Sequence, residues 1–176
     1  FVHSTSNAGN RIADVHGGLE GDTELRFADT CDLASIDVLL LCSAHGESRK
    51  WLEANDVPAG VKIIDLAQDF RDESDGFVYG LPELNRDRIR TAERVANPGC
   101  FATAIQLALL PLAAAGLLTG EVHVTAVTGS TGAGVKPSAT THFSWRTDNI
   151  SVYKAFTHQH LIEIGRNLRR LQPGFG

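Results

Sequence analysis

The residue in this sequence best placed to do chemistry is Cys100, which ends the tetrapeptide Asn97-Pro-Gly-Cys100. Proline and glycine favour turns, and the apolar run that begins at Phe101 is typical of a helix. Cys100 is therefore predicted to lie where a tight turn becomes a helix. Unpaired backbone N–H groups and the positive end of the helix dipole favour the thiolate, which is the nucleophilic form. A buried structural cysteine is the alternative interpretation.

A nucleophilic cysteine needs a partner that moves protons, and histidine suits this role because its ordinary pKa lies near neutrality. Of seven histidines, His158 and His160 form the pair His-Gln-His ahead of a predicted helix. Two histidines at this spacing also occur in metal sites. They offer only two ligands, with no cysteine pair or second acidic cluster beside them, so we expect no metal. A structural role for each histidine is the other alternative.

Two further segments have the composition of anion-binding loops. The segment Gly129-Ser-Thr-Gly-Ala-Gly134 could present backbone N–H groups to a phosphate, although it matches neither the Rossmann fingerprint nor a P-loop in full. Ser4, Thr5 and Ser6 could surround an anion with hydroxyl groups. An ordinary turn is the alternative for both segments.

The apolar pattern predicts the elements that must position these residues. Residues 36–43 form a continuous apolar run, which is typical of a parallel strand covered on both faces. A helix over residues 49–55 and a second strand over residues 61–66 follow, and this order indicates a βαβ unit with a parallel sheet. Residues 82–91 are predicted to form a short helix with Pro82 near its first position.

The second half of the chain is predicted to contain three elements. The apolar run after Cys100 indicates a helix, and residues 121–128 alternate as a half-buried strand does. Helical spacing of apolar residues after His160 predicts an amphipathic last helix. The only domain boundary that the pattern suggests lies near residues 95–97.

Composition argues against several classes of protein. The chain has 176 residues, of which 43% are hydrophobic and 21% charged, as in an ordinary globular protein. A formal net charge of −5 argues against a broad nucleic-acid surface, which needs a basic face. Three cysteines without tight spacing indicate reduced thiols and a cytoplasmic location. Gln106, Pro111 and Gly116 interrupt the apolar run over residues 101–118, which favours a core helix over a membrane span.

The chain contains no methionine, and it begins Phe-Val-His-Ser, as though in the middle of a fold. It ends Gln-Pro-Gly-Phe-Gly, which is typical of a loop. We therefore expect an internal fragment of a longer protein.

Five ordered segments resemble the N-acetyl-gamma-glutamyl-phosphate reductases, a family of arginine biosynthesis. They are Ile64-Asp-Leu-Ala-Gln-Asp-Phe-Arg71, Tyr79-Gly-Leu-Pro-Glu-Leu-Asn85, Asn97-Pro-Gly-Cys-Phe-Ala-Thr103, Gly129-Ser-Thr-Gly-Ala-Gly134 and Phe156-Thr-His-Gln-His-Leu-Ile-Glu-Ile164. The resemblance implies an α/β fold: a partial Rossmann-type NADP-binding domain with a parallel sheet over residues 1–96, then part of an α+β catalytic and dimerisation domain over residues 97–176.

The resemblance also implies an activity and a set of site residues. NADPH would reduce N-acetyl-gamma-glutamyl phosphate to N-acetylglutamate 5-semialdehyde and phosphate through a cysteine thioester. The nucleophile falls on Cys100 and the acid/base on His158, with His160 and Glu163 orienting that histidine or the substrate. The implied cofactor residues are Ser4 and Ser6 near the adenosine 2′-phosphate, and Gly132, Ala133 and Gly134 near the nicotinamide.

The sequence departs from the family pattern at three places. Ala44 stands where a proline is frequent, and Gln159 replaces the more usual arginine between the two histidines. The family's first strand and Gly-rich loop do not appear, so we expect the 176 residues alone to bind NADPH poorly and to be inactive. The resemblance further implies a small-molecule acyl phosphate as substrate and assembly as a dimer or tetramer.

Three alternatives stay open from the sequence. A sister reductase would perform the same chemistry on an aminoadipate derivative or on aspartyl phosphate. A cysteine hydrolase would use the Cys–His pair without a dinucleotide. A non-enzymatic α/β binding module would carry an inert, buried cysteine.

Overall fold

The computed structural model describes residues 1–134 and 138–176. Near the start of the chain, strand β1 (Val2–His3), helix α1 (Ile12–Val15) and strand β2 (Phe27–Ala28) form a small unit. The two strands pair in parallel, with Val2 opposite Phe27. The sequence pattern did not predict these two strands, because each is only two residues long.

A four-stranded, all-parallel sheet forms the centre of the first half of the chain. Its strands are β3 (Val38–Leu41), β4 (Lys62–Asp65), β5 (Val78–Tyr79) and β6 (Arg94–Ala96), in the spatial order β3-β4-β6-β5. Helix α2 (Glu47–Ala54) connects β3 to β4, and helix α3 (Pro82–Thr91) connects β5 to β6. The βαβ unit and the helix beginning at Pro82 are therefore confirmed.

The prediction that the first apolar run is covered on both faces is wrong. Strand β3 lies at the edge of the four-stranded sheet, and Leu40 is 55% exposed on one of its faces. The other face presents Leu41 to a core cluster that contains Ile63, Phe70 and Phe77, and Trp51 of α2 packs against this cluster. Helix α2 packs on the face that presents Leu41, whereas Val38 and Leu40 on the opposite face are exposed among the described residues.

Two helices of the second half pack closely against each other and against the sheet. Helix α4 (Cys100–Ala114) begins at the cysteine, as predicted, and Gly116 follows its end with a φ of 69°. The short helix α5 (Phe143–Arg146) precedes the amphipathic helix α6 (His160–Leu171). Leu110 of α4 and Leu168 of α6 share one core cluster with Tyr79 of β5. Both long helices are therefore core helices that contact the sheet.

The strand predicted over residues 121–128 is absent from this structure, and that prediction is wrong. Within the described residues, the segment pairs with none of the six strands. Its apolar side chains, Val122, Val124 and Val127, are exposed. A strand forms only where a neighbour accepts and donates its backbone hydrogen bonds, and an alternating pattern does not supply that neighbour.

Helix α4, which carries most of the apolar run, has 15 residues. Over residues 1–134 and 138–176, no helix combines the length and apolar character that crossing a membrane requires.

Candidate active site

The cysteine turn, residues 97–100, lies at the carboxyl edge of the parallel sheet, directly after β6. The backbone N–H of Asn97 donates to the carbonyl oxygen of Asp65 at 2.8 Å, which fastens the turn to the end of β4. The Arg71 Nε donates to the carbonyl oxygen of Asn97, also at 2.8 Å. Cys100 itself is exposed and reduced. These two hydrogen bonds anchor the start of the turn to β4 and to Arg71, and they leave the Cys100 thiol accessible to a ligand.

His160 approaches the cysteine turn so closely that a side chain at position 99 would collide with its ring unless one of them moved. A Cβ on Gly99 would lie 2.3 Å from His160 Nε2, well inside van der Waals contact. The His160 side chain is 8% exposed, and its Nδ1 is buried with no hydrogen-bond partner among the described residues. Burial lowers the pKa of His160 below its ordinary value, while the nearby Glu163 carboxylate opposes that shift.

His158 lies beside His160, with the two ring centroids 4.4 Å apart. Phe101, the residue after the cysteine, places its ring 5.5 Å from His158 at nearly a right angle. Burial and the positive charge of Lys154 lower the pKa of His158. The backbone N–H of His160 donates to His158 Nδ1 at 3.2 Å, so the neutral imidazole carries its proton on Nε2. His158 is therefore arranged to donate a hydrogen bond from Nε2.

Glu163 is a buried carboxylate that accepts hydrogen bonds from three separate parts of the chain. Its Oε2 accepts from the Tyr79 hydroxyl at 2.6 Å and from the backbone N–H of Gly99 at 3.3 Å. Its Oε1 accepts from Arg71 Nη1 at 3.2 Å. His160 Nε2 lies 4.0 Å from the same Oε1. The carboxylate is therefore fully engaged in fixed contacts around the cysteine turn.

Two more buried polar side chains, Gln106 and Asn167, form a hydrogen-bonded chain that ends at the Tyr79 hydroxyl. Gln106 Nε2 donates to the Tyr79 hydroxyl at 2.7 Å, and Asn167 Nδ2 donates to Gln106 Oε1 at 2.7 Å. Burial and the bond to Glu163 raise the pKa of Tyr79. The sequence analysis missed Arg71, Tyr79 and Asn167, and it used Gln106 only as an argument against a membrane span. The available signal was that Arg71 and Tyr79 lie within the five family-like segments.

Ser4 and Ser6 come together in the loop that follows β1. Their hydroxyl oxygens lie 3.3 Å apart, and the backbone N–H of Asn7 donates to Ser4 Oγ at 3.3 Å. Arg11, which the sequence analysis also missed, ends this loop. One of its nitrogens pairs with Glu24 at 2.9 Å, whereas its Nε is buried with no hydrogen-bond partner among the described residues. Hydroxyl groups and a guanidinium are donors that suit a phosphate.

The glycine-rich loop stands apart from this arrangement. Ser130–Ala133 form a single 3-10 turn, and Gly134 has a φ of 95°. The hydrogen bonds described for residues 128–134 are all local, and none reaches the cysteine turn. Gly132, Ala133 and Gly134 therefore stay a predicted nicotinamide site, because the structure does not test that role.

The pair His158 and His160 is not joined by further metal ligands in the part of the chain that the structure describes. Among those residues, no group of three or more histidine, cysteine, aspartate or glutamate side chains is arranged to hold a metal ion.

Two family models match almost the whole chain. The model of the semialdehyde dehydrogenase NAD binding domain matches residues 1–92, and that of the semialdehyde dehydrogenase dimerisation domain matches residues 100–174. These matches agree with the parallel α/β architecture and confirm the predicted fold class.

Curated relatives named N-acetyl-gamma-glutamyl-phosphate reductase are similar over nearly all of the chain. The protein of Bacteroides thetaiotaomicron is 62% identical over 99% of this chain and 55% of its own length. Those of Parabacteroides distasonis and Christiangramia forsetii are 60% and 52% identical, over 99% and 98% of this chain and 55% and 54% of their own lengths. The chain spans about half the length of the curated relatives it matches.

The five ordered segments thus pointed to the relatives that the comparisons find, and the predicted resemblance is confirmed. A parallel sheet with a NAD-binding match, followed by a cysteine helix with a dimerisation-domain match, accounts for both halves of the chain. The chain belongs to the semialdehyde dehydrogenase family.

Proposed function

We propose that the protein is an NADPH-dependent reductase of N-acetyl-gamma-glutamyl phosphate, which forms N-acetylglutamate 5-semialdehyde and phosphate in arginine biosynthesis. The observation that carries this proposal is that His160 and His158 lie against Gly99 and Phe101, the residues on either side of the exposed Cys100, at the carboxyl edge of a parallel sheet. Ligands of open parallel α/β sheets bind at this edge. The names and identities of the relatives support the substrate.

Cys100 is the proposed nucleophile. Its thiolate attacks the carbonyl carbon of the acyl phosphate, and the C–O bond to phosphate breaks to leave a thioester. The first N–H groups of a helix have no partner within it, so those of α4 can stabilise negative charge on the sulfur and on the carbonyl oxygen. The exposed position of Cys100 gives a small acyl phosphate access to the sulfur.

His158 is the proposed donor to the substrate. Since its Nδ1 already accepts a backbone N–H, its Nε2–H can donate to the oxygen on which charge develops. NADPH, when bound, supplies the hydride that reduces the thioester. Collapse of the resulting thiohemiacetal breaks the C–S bond, releases the aldehyde and restores the Cys100 thiolate. His160 and Glu163 orient the turn and the first histidine in this scheme.

The residues after β1 fit the adenosine 2′-phosphate of NADP. Ser4 and Ser6 offer hydroxyl groups at the carboxyl end of a parallel strand, and Arg11 adds a buried Nε that has no partner among the described residues. This donor set distinguishes NADP from NAD, because only NADP presents a phosphate there. We also place Gly132, Ala133 and Gly134 near the nicotinamide, on the strength of the family resemblance alone.

We further infer two functional halves, residues 1–96 for the cofactor and residues 97–176 for catalysis and assembly. The two family-model ranges support this division. The dimerisation-domain match supports a homodimer or homotetramer, which light scattering of the full-length gene product would measure. Three free cysteines support a cytoplasmic location.

The test is an assay of the full-length gene product for NADP⁺ reduction that depends on phosphate and aldehyde, compared with a Cys100→Ser variant. We expect the variant to lose about 1,000-fold or more in kcat, because a serine alkoxide is not available at neutral pH. Cys42→Ser is the matched control, since Cys42 is also exposed and the described hydrogen bond of its thiol is to the Leu40 carbonyl oxygen. Equal activity of wild type and Cys100→Ser would contradict the proposal.

A genetic test addresses the substrate. The intact gene should restore growth without arginine to a strain that lacks its own reductase, and the Cys100→Ser gene should not. Activity on an aminoadipate derivative or on aspartyl phosphate instead would identify a sister reductase. Turnover that needs no dinucleotide would indicate a hydrolase.

A further inference from the structure

A buried carboxylate at the centre of the candidate site belongs to a residue that the proposed chemistry does not consume. Glu163 accepts from Tyr79 of β5, from Gly99 of the cysteine turn and from Arg71 of the loop after β4. Its side chain is 6% exposed. Both carboxylate oxygens are therefore occupied by donors from within this chain.

The hydrogen bonds from Asn167 through Gln106 to Tyr79 all run in one direction. The amide NH2 groups of Asn167 and Gln106 can only donate, so Asn167 donates to Gln106 and Gln106 donates to the Tyr79 oxygen. The one proton of the Tyr79 hydroxyl is then left for Glu163, to which it donates at 2.6 Å. Chains of this kind strengthen their members because each bond polarises the next. Asn167 and Gln106 therefore fix both the position of the Tyr79 hydroxyl and the direction in which it donates its hydrogen bond.

Arg71 joins the same carboxylate to the start of the cysteine turn. Its Nε donates to the Asn97 carbonyl oxygen and its Nη1 donates to Glu163, so one planar side chain spans both partners. The Arg71 side chain is itself buried, with 10% of its surface exposed. The turn is thereby held at Asn97 by Arg71 and at Gly99 by Glu163.

We propose that Arg71 and Tyr79 are positioning residues for Cys100. They fix the Glu163 carboxylate, which in turn holds the backbone N–H of Gly99 and keeps the cysteine turn in the conformation that directs the N-terminal N–H groups of α4 toward the sulfur. Neither residue touches the thiol, and both act through Glu163. This inference relies on the proposed function only for its kinetic readout.

The test is Tyr79→Phe in the full-length gene product. This change removes the hydroxyl and keeps the ring, which packs in the α4–α6 core and under the Arg166 guanidinium. We expect alkylation of Cys100 by iodoacetamide at pH 7 to slow about tenfold, which corresponds to loss of one hydrogen bond to a charged group. The kcat should fall by a similar factor, with the KM for NADPH unchanged. Peptide mass spectrometry separates Cys100 from Cys42, which serves as the internal reference.

Glu73→Gln is the matched control. The Glu73 carboxylate also accepts from Tyr79, at its backbone N–H, and pairs with Arg88 at 2.7 Å, but it does not contact the cysteine turn. The control should lower the free energy of unfolding while leaving the Cys100 alkylation rate unchanged. Arg71→Lys is the second variant, because lysine keeps the charge and loses the bond that spans Asn97 and Glu163. It should also slow alkylation.

The outcomes separate the two proposals. If folded Tyr79→Phe and Arg71→Lys both alkylate at Cys100 as fast as the wild type does, the positioning role is overturned. If the wild type shows no reductase activity but both variants still slow the alkylation, the positioning role stands and the proposed function fails.

Discussion

The cysteine site and the segment between α4 and α6 differ sharply in how they are held. Around Cys100, the side chains of Arg71, Tyr79 and Glu163 are buried and joined by hydrogen bonds between residues far apart in the chain. Between the helices, Val127 is 78% exposed and Phe156 is 94% exposed. The site is therefore built from contacts within this chain, whereas the described residues leave the intervening apolar side chains uncovered.

The difference shows which sequence signals are sufficient by themselves. A helix satisfies most of its backbone hydrogen bonds internally, so α4 and α6 form wherever their apolar faces meet a core. A strand takes every such bond from a neighbour, and residues 121–128 find none among the described residues. Stability and function should consequently respond to mutation very differently in the two regions.

The largest effect on stability is expected in the core that supports the cysteine helix. Leu168 is 2% exposed and packs between α6 and α4, so Leu168→Ala should lower the free energy of unfolding by about 2–5 kcal/mol. Urea denaturation measures this loss. Leu161→Ala on the exposed side of the same helix is the control and should change stability by less than about 0.5 kcal/mol. Similar losses in both variants would contradict the assignment of the buried face.

A smaller but more local effect is expected at Gly99. A methyl group at this position would overlap the His160 ring, so Gly99→Ala should cost about 1–3 kcal/mol of stability as the ring shifts. Because the shift displaces the cysteine turn, kcat should fall more than the stability loss alone explains. Crystallography of the variant would show the displaced His160 ring. An unmoved ring together with full activity would contradict the predicted steric overlap.

Gly134→Ala provides the control for Gly99. Gly134 has a positive φ, so alanine there is strained, but among the described residues no atom outside its chain neighbours lies within 4 Å of the added methyl group. It should therefore lower stability without moving His160. If it also lowers activity, the predicted role of the glycine-rich loop near the nicotinamide gains support.

Much of the framework could be predicted from the sequence, because it depends on local patterns. The strand–helix–strand order, the helix at Pro82 and the start of α4 at Cys100 all follow from apolar runs and turn residues. The short strands β1, β2, β5 and β6 could not be predicted, since two or three residues carry no period. Their pairing is a property of the assembled sheet.

The candidate site was predictable only in part, for a related reason. Cys100 carries a local signal in its turn, and the histidine pair carries one in its spacing. Tyr79 is marked only by its place in a family-like segment, and nothing local marks Asn167, because the roles of both arise from bonds to residues distant in the chain. The closeness of Gly99 to His160 is likewise a tertiary contact.

The next expected effect is a dependence of stability on pH that originates in the buried histidine. Burial lowers the pKa of His160 in the folded protein, so below about pH 6.5 the unfolded chain binds more protons there than the folded chain does. The contribution of neutral His160 to the free energy of unfolding is therefore fully present above about pH 6.5. It is lost as the pH falls through the pKa of His160 in the folded protein. Urea unfolding at pH 7.5 and pH 5.5 should show the loss.

His160→Asn should reduce this loss of stability at low pH, whereas His123→Asn should not, since the His123 side chain is 86% exposed.

The dependence of activity on pH should also reflect a lowered histidine pKa. The pKa of His158 is lowered as well, so the acidic limb of the kcat/KM profile should lie below the ordinary histidine value of about 6.5. An acidic limb above that value would contradict the neutral, donating imidazole.

The smallest effect is expected in the exposed segment, and it tests whether this segment is as free of packing contacts as its exposure indicates. Val127→Ser should change the free energy of unfolding of these 176 residues by less than about 0.5 kcal/mol, because the side chain already contacts water. Ile63→Ser is the control, and it should cost about 3 kcal/mol or more because it buries a hydroxyl and leaves a cavity in the sheet. Urea denaturation of each variant measures both. A loss above about 1 kcal/mol for Val127→Ser would mean that this segment packs against a surface, and the division between a bonded site and an uncovered segment would then be wrong.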